Sequence, residues 1–132
     1  MSAAREIIPP PGPALNADGS SGPLASMAVR GGDFIFVSGL TAVDLQSGER
    51  LRGTTASETR HILANLQQVL EAAGSSLDRL VQVHALIYDS IEYDVLNRVY
   101  RQYVANGPPA RTVWTARIEA GFKIQLDVIA AA

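Results

Sequence analysis

Cysteine is missing from all 132 residues, which rules out a disulfide frame, a thiolate metal site and a thiol nucleophile. Histidine is nearly missing too: His61 and His84 stand far apart in the chain, so a histidine-built metal centre is not expected. Charge of one sign is not in excess, with 11 Lys and Arg against 13 Asp and Glu. No basic run or basic-aromatic stripe offers an electrostatic footprint for nucleic acid. Apolar runs stay well below the roughly 18 residues that span a bilayer, and the first eight residues lack the apolar centre of a secretory leader. The expectation is a soluble cytoplasmic protein, with neither membrane nor nucleic acid as a partner and no cofactor.

A hydrophobic content of 47% in a chain of this length suits one domain with its own core. Residues 1–26 are set apart by Pro9, Pro10, Pro11, Pro13 and Pro23 with Gly and Ser between them. Such a segment lacks ladder donors and an apolar face, so an irregular arm is expected there, followed by a single domain over 27–132.

Within that domain, 27–30 and 34–38 read as a hairpin turned by Gly31-Gly32-Asp33, and 40–51 as a loop with its turn at 46–49. A first helix is marked by a capping box of Thr55 and Glu58, by Ile62, Leu63, Leu66, Val69, Leu70 and Ala73 at helical spacing, and by Gly74 as the stop. Residues 80–88 alternate as a strand. A second helix over about 91–104 takes Ser90 as its cap and ends at Asn106-Gly107-Pro108-Pro109. Two closing strands, 111–118 and 122–130, are expected to form a hairpin through 119–121. The order is ββαβαββ: an α+β two-layer domain, one sheet with both helices on one face.

The chemistry-bearing residues concentrate near the end of the chain. Arg111 follows Pro108-Pro109 at the mouth of a strand, where a guanidinium can grip a carboxylate through two parallel hydrogen bonds. In the last strand Lys123, Gln125 and Asp127 share one face while Ile124, Leu126 and Val128 share the other, which makes the polar row a candidate site wall. Ser38 and Gly39 end an apolar strand, and a glycine there lets backbone groups approach a ligand. Asn97 lies among Tyr93, Leu96 and Tyr100, where its amide must find partners. Trp114, the sole tryptophan, reads as a subunit-interface residue before a stacking platform, and His84 as an ordinary hydrogen-bonded side chain.

Taken in order, 31–39 (GGDFIFVSG), 47–49 (SGE), 65–74, Asn97 with Val99 and Tyr100, 109–117 (PARTVWTAR) and 123–130 (KIQLDVIA) resemble the Rid/YjgF family of imine and enamine deaminases, also labelled endoribonuclease L-PSP. The likeness runs from about residue 22 to the end. It implies the chorismate-mutase-like YjgF fold, a homotrimer closed around a central barrel, and ligand clefts between neighbouring subunits. It also implies hydrolytic deamination of a small carboxylate-bearing imine or enamine to the keto acid and ammonia. Arg111 would anchor the carboxylate, Gln125 would act on the water, and Ser38, Gly39, Asn97, Val113 and Leu24 would line the cleft.

The chain departs from the family pattern at three places. Gln125 stands where many such deaminases have a glutamate, and an amide can orient a water but cannot take its proton. Leu24 stands where a tyrosine is common, and Leu40-Thr41-Ala42 replaces Gln-Ile-Pro. Asp127, on the same face as Gln125, is the nearest alternative acid. Two other functions therefore stay open: a pathway enzyme acting on a larger conjugated enamine, by aminomuconate-like deamination, cyclisation or dehydration, and a non-catalytic trimer that binds a carboxylate metabolite.

Overall fold

A computed structural model describes residues 5–10 and 25–132. Its strands are β1 (Glu6–Ile8), β2 (Ala28–Gly31), β3 (Phe34–Leu40), β4 (Leu80–Ile87), β5 (Ala110–Thr115) and β6 (Ile124–Ala131). Helix α1 (Thr55–Ala72) joins β3 to β4, and α2 (Tyr93–Tyr103) joins β4 to β5. All six strands form one sheet in the order β1-β2-β3-β6-β4-β5. The result is an α+β domain with both helices on one side of the sheet. No helix among the described residues is long and apolar enough to cross a membrane.

The expected terminal hairpin does not form. β5 pairs with β4 in parallel, which requires a crossover that α2 provides, and β6 inserts antiparallel between β3 and β4. Strands that follow each other in sequence are thus separated by β4 in space. The alternation of β6 explains its central place: Ile124, Leu126, Val128 and Ala130 are all buried, an apolar row that an edge position would leave half covered. Between β5 and β6 the chain turns through Glu119–Gly121, with Ala120 held at φ 59°.

The arm expected over 1–26 also needs correction where it is described. Glu6–Ile8 pairs with β2 in the register Glu6↔Arg30 to Ile8↔Ala28, because the residues just before the first proline keep their ladder donors. Residues 11–24, Leu24 included, lie outside the described residues.

The capping side chain ahead of each helix differs by one residue from the sequence reading, and α2 itself begins at Tyr93, two residues later than expected. Thr54, not Thr55, caps α1, its Oγ1 accepting from the Ser57 N–H at 3.1 Å. Glu58 instead turns inward, fully buried, and accepts from the backbone N–H groups of Gly53 at 3.0 Å and Lys123 at 2.8 Å. One carboxylate thereby satisfies two donors and ties the start of α1 to the approach of β6. Ahead of α2 a single 3₁₀ turn spans Ser90–Glu92, and Asp89, not Ser90, accepts from the Ile91 N–H at 3.0 Å. The stop at Gly74 is as expected, with φ 82° and the Ser75 N–H returning to the Leu70 carbonyl at 2.8 Å.

The core lies between the sheet and the helices. Ile35 and Val37 of β3, Val83, Ala85 and Ile87 of β4, and the apolar row of β6 meet Ile62, Leu63, Leu66 and Leu70 of α1 and Leu96 of α2. Each fully buried side chain of this size is worth about 1.5–3 kcal/mol. The opposite face of the sheet is open, with Phe34 and Phe36 each 43% exposed and Trp114 52% exposed.

Candidate active site

The pairing register decides which face each candidate residue occupies, since directly opposed residues on neighbouring strands point the same way. Arg111 pairs with Val83, which pairs with Val128, so its side chain leaves on the helix side. Trp114 pairs with Leu86, which pairs with Gln125, and Thr112 pairs with His84, which pairs with Asp127. These residues occupy the open side. Arg111 and Gln125 therefore stand on opposite faces of the one sheet, two strands apart.

On the helix side Arg111 is held from several directions by α2. Its Nη2 donates to Asn97 Oδ1 at 2.7 Å and to the Tyr93 hydroxyl at 3.4 Å. Its guanidinium carbon lies 4.8 Å from the centre of the Tyr100 ring and 5.8 Å from that of Tyr93. Positions 93, 97 and 100 fall on one helical stripe, so α2 presents Tyr, Asn and Tyr together to β5. Both hydrogen bonds use Nη2, which leaves the N–H groups of Nε and Nη1 for an outside acceptor.

This cluster walls a cleft of about 510 Å³ whose lining includes Tyr93, Asn97, Tyr100, Arg101, Pro109 and Arg111. The Tyr100 hydroxyl is buried and has no hydrogen-bond partner among the described residues. Burial raises its pKa above the ordinary 10.0, with the nearby Arg111 charge acting in the opposite sense. Val113, two residues after Arg111 on the same face, is half-buried against the core.

On the open side a second group forms around a bulge in β3. The register slips between Val37 and Leu40, and Gly39 takes φ 69°, a conformation open to glycine at little cost. The Gly39 N–H donates to Asp127 Oδ1 at 2.7 Å, and Gln125 Nε2 donates to the same oxygen at 3.4 Å. The Gln125 amide thus turns its nitrogen toward Asp127, and its carbonyl oxygen is the remaining acceptor. Ser38 is exposed, and its N–H bonds to the Met27 carbonyl at 3.0 Å. His84 and Trp114 meet edge to face at 5.2 Å between ring centres.

Of the residues picked from the sequence, the fold joins Arg111 with Asn97, and Gly39 with Gln125 and Asp127. The two groups face opposite ways. Sequence reasoning missed the role of Tyr93 and Tyr100 as walls around Arg111, although their four- and three-residue spacing from Asn97 carried the signal.

The family described as Endoribonuclease L-PSP matches residues 16–132 of this chain. The chain belongs to the Rid/YjgF family. Human 2-iminobutanoate/2-iminopropanoate deaminase is 31% identical over 115 residues, which cover 86% of this chain and 83% of the human protein. A solved structure from Thermotoga maritima, 30% identical, superposes with a TM-score of 0.81 and covers 100% of this chain and 98% of its own. RidA of an Antarctic Psychrobacter has the same fold, with a TM-score of 0.79 at 24% identity, 86% of this chain and 92% of that one being covered. The Arg111 cluster and the Gly39 bulge are thus features of a Rid/YjgF protein whose sheet leaves one face open.

Proposed function

We propose that this protein hydrolyses a small carboxylate-bearing imine, or the enamine that tautomerises to it, to the keto acid and ammonia. The observation that carries the reading is the mounting of Arg111, a guanidinium oriented by Asn97 and Tyr93 with N–H groups left over beside a cleft. That arrangement suits a carboxylate. The similarity to a human protein named as a 2-iminobutanoate/2-iminopropanoate deaminase points the same way.

In the proposed reaction the carboxylate rests on Arg111 and a water adds its oxygen to the imine carbon while the imine nitrogen gains a proton. The carbinolamine then expels its nitrogen as ammonia as the hydroxyl gives up its proton to leave the C=O group. Gln125 accepts a hydrogen bond from the water through its carbonyl oxygen and so aims it. Because an amide stores no proton, the proton passes from the water to the substrate nitrogen. Imines are labile, so orientation can supply much of the acceleration.

The cleft of this reading is shared by two copies in a homotrimer. Arg111 of one protomer works with Gly39 and Gln125 of a neighbour, which the opposite facing of these residues favours. The open apolar patch around Phe34 and Phe36 is a suitable contact surface for the neighbouring sheets.

The test is the rate at which the protein accelerates hydrolysis of 2-iminobutanoate made in situ and competed with semicarbazide. Wild-type acceleration that Arg111→Ala abolishes supports the proposal. Absence of acceleration overturns it; carboxylate binding that Arg111→Ala removes would then favour a metabolite-binding trimer.

A further inference from the structure

We infer that the substrate carries a second anionic group and that Arg101 receives it, so that the protein prefers dicarboxylic imines. The inference rests on the deaminase reading and names the substrate class of the same cleft.

The first observation is the lining. Arg101 and Arg111 both border the cleft, and no Asp or Glu does. A monocarboxylate would neutralise one of the two guanidinium groups and leave the other facing the same space. Arg101 is exposed, has no hydrogen-bond or ion-pair partner among the described residues, and lies in the last turn of α2. A cation with no internal partner beside a cleft is available to a ligand.

The second observation is helical geometry. Asn97 and Arg101 are four residues apart on α2, so the amide that orients Arg111 and the second cation occupy adjacent turns of one face. A ligand lying along that face meets Arg111 at one end and Arg101 at the other. Pro108 and Pro109 border the same space, backbone whose fixed φ limits its rearrangement.

The third observation is room and polarity. A volume of about 510 Å³ belongs to the range that holds ligands well beyond a three- or four-carbon imine. The lining is mixed, with Asn97 and the two arginines beside Val104, Ala105 and the two prolines.

Selectivity provides the test. 2-Iminoglutarate and 2-iminobutanoate, each made in situ by an amino-acid oxidase, would be compared by kcat/KM with wild type, Arg101→Gln and Arg101→Lys. The wild type is expected to favour 2-iminoglutarate at least tenfold. Arg101→Gln should cut that ratio fivefold or more through KM, Arg101→Lys should restore most of it, and added salt should erode it. Because a ratio is read, a general loss of folding does not imitate the result. A wild-type ratio near one that Arg101→Gln leaves alone overturns the second-anion site and leaves the deaminase reading standing. If neither imine is accelerated, the deaminase reading fails. Calorimetric titration with glutarate and with butyrate then decides the site: tighter glutarate binding that Arg101→Gln weakens supports it, and equal or absent binding overturns it.

Discussion

Asn97 Oδ1 accepts from Arg111 Nη2 at 2.7 Å, a bond that links α2 to β5 and sets the plane of the guanidinium. Hydrogen bonds to a charged group contribute about 1.5–3 kcal/mol, so Asn97→Ala should raise KM for an imine substrate roughly tenfold or more while kcat changes less. Asn97→Asp keeps the acceptor but places a negative charge beside Arg111, and it should weaken carboxylate binding further. Steady-state kinetics on the three proteins would check the order.

Arg111 and Gln125 leave opposite faces of the same sheet, so in the proposed oligomer one cleft takes them from different subunits. Arg111→Ala and Gln125→Ala should each lower activity when homogeneous. Co-expression of the two should restore a measurable fraction, because some interfaces then pair an intact Arg111 with an intact Gln125. Activity no higher than that of the separate variants would place both residues in one subunit's site or in none.

Burial holds the Tyr100 proton above its ordinary 10.0 in the folded state. As pH rises past 10.0 the unfolded chain loses this proton first, unfolding releases it, and stability falls until the folded value is passed. Below that window both states keep the proton and the group contributes no slope. Tyr100→Phe should reduce the alkaline decline seen in thermal melts. Tyr88, also raised, chiefly by its hydrogen bond to Glu92, persists in that variant, and Tyr88→Phe serves as the comparison. Near neutral pH Tyr100→Phe should cost little stability, since the hydroxyl it removes has no partner.

Glu58 is buried and accepts from two backbone N–H groups, that of Gly53 just before α1 and that of Lys123 just before β6. Glu58→Ala leaves both donors unsatisfied at about 1–3 kcal/mol each, and should lower the melting midpoint by roughly 10 °C. Glu58→Gln should not rescue it fully, because its NH₂ would face an N–H that needs an acceptor. Differential scanning calorimetry on the three proteins reads both effects.

Much of the local structure was written in the chain. The alternation of Ile124, Leu126 and Val128 against Gln125 and Asp127 named the buried and open faces of β6, and the spacing from Ile62 to Leu70 named the core stripe of α1. These patterns have periods of two and 3.6 residues, and each is complete within one element. The cap positions slipped by one because Thr54 competes with Thr55, and Asp89 with Ser90, and only the placement of Glu58 against Gly53 and Lys123 breaks the first tie.

Strand order belongs to the tertiary structure. That β6 enters between β3 and β4, not beside β5, depends on pairings between residues as far apart as Phe34 and Ala131, which no local period encodes. The same holds for the candidate site. Arg111, Asn97 and Gln125 could each be picked out by residue type, but the parallel pairing of β4 with β5 put Arg111 on the helix side, and the antiparallel pairing of β4 with β6 put Gln125 on the other. A single-residue change of register would exchange those faces, because side chains alternate along a strand, and so the division of the site lies in the sheet's register.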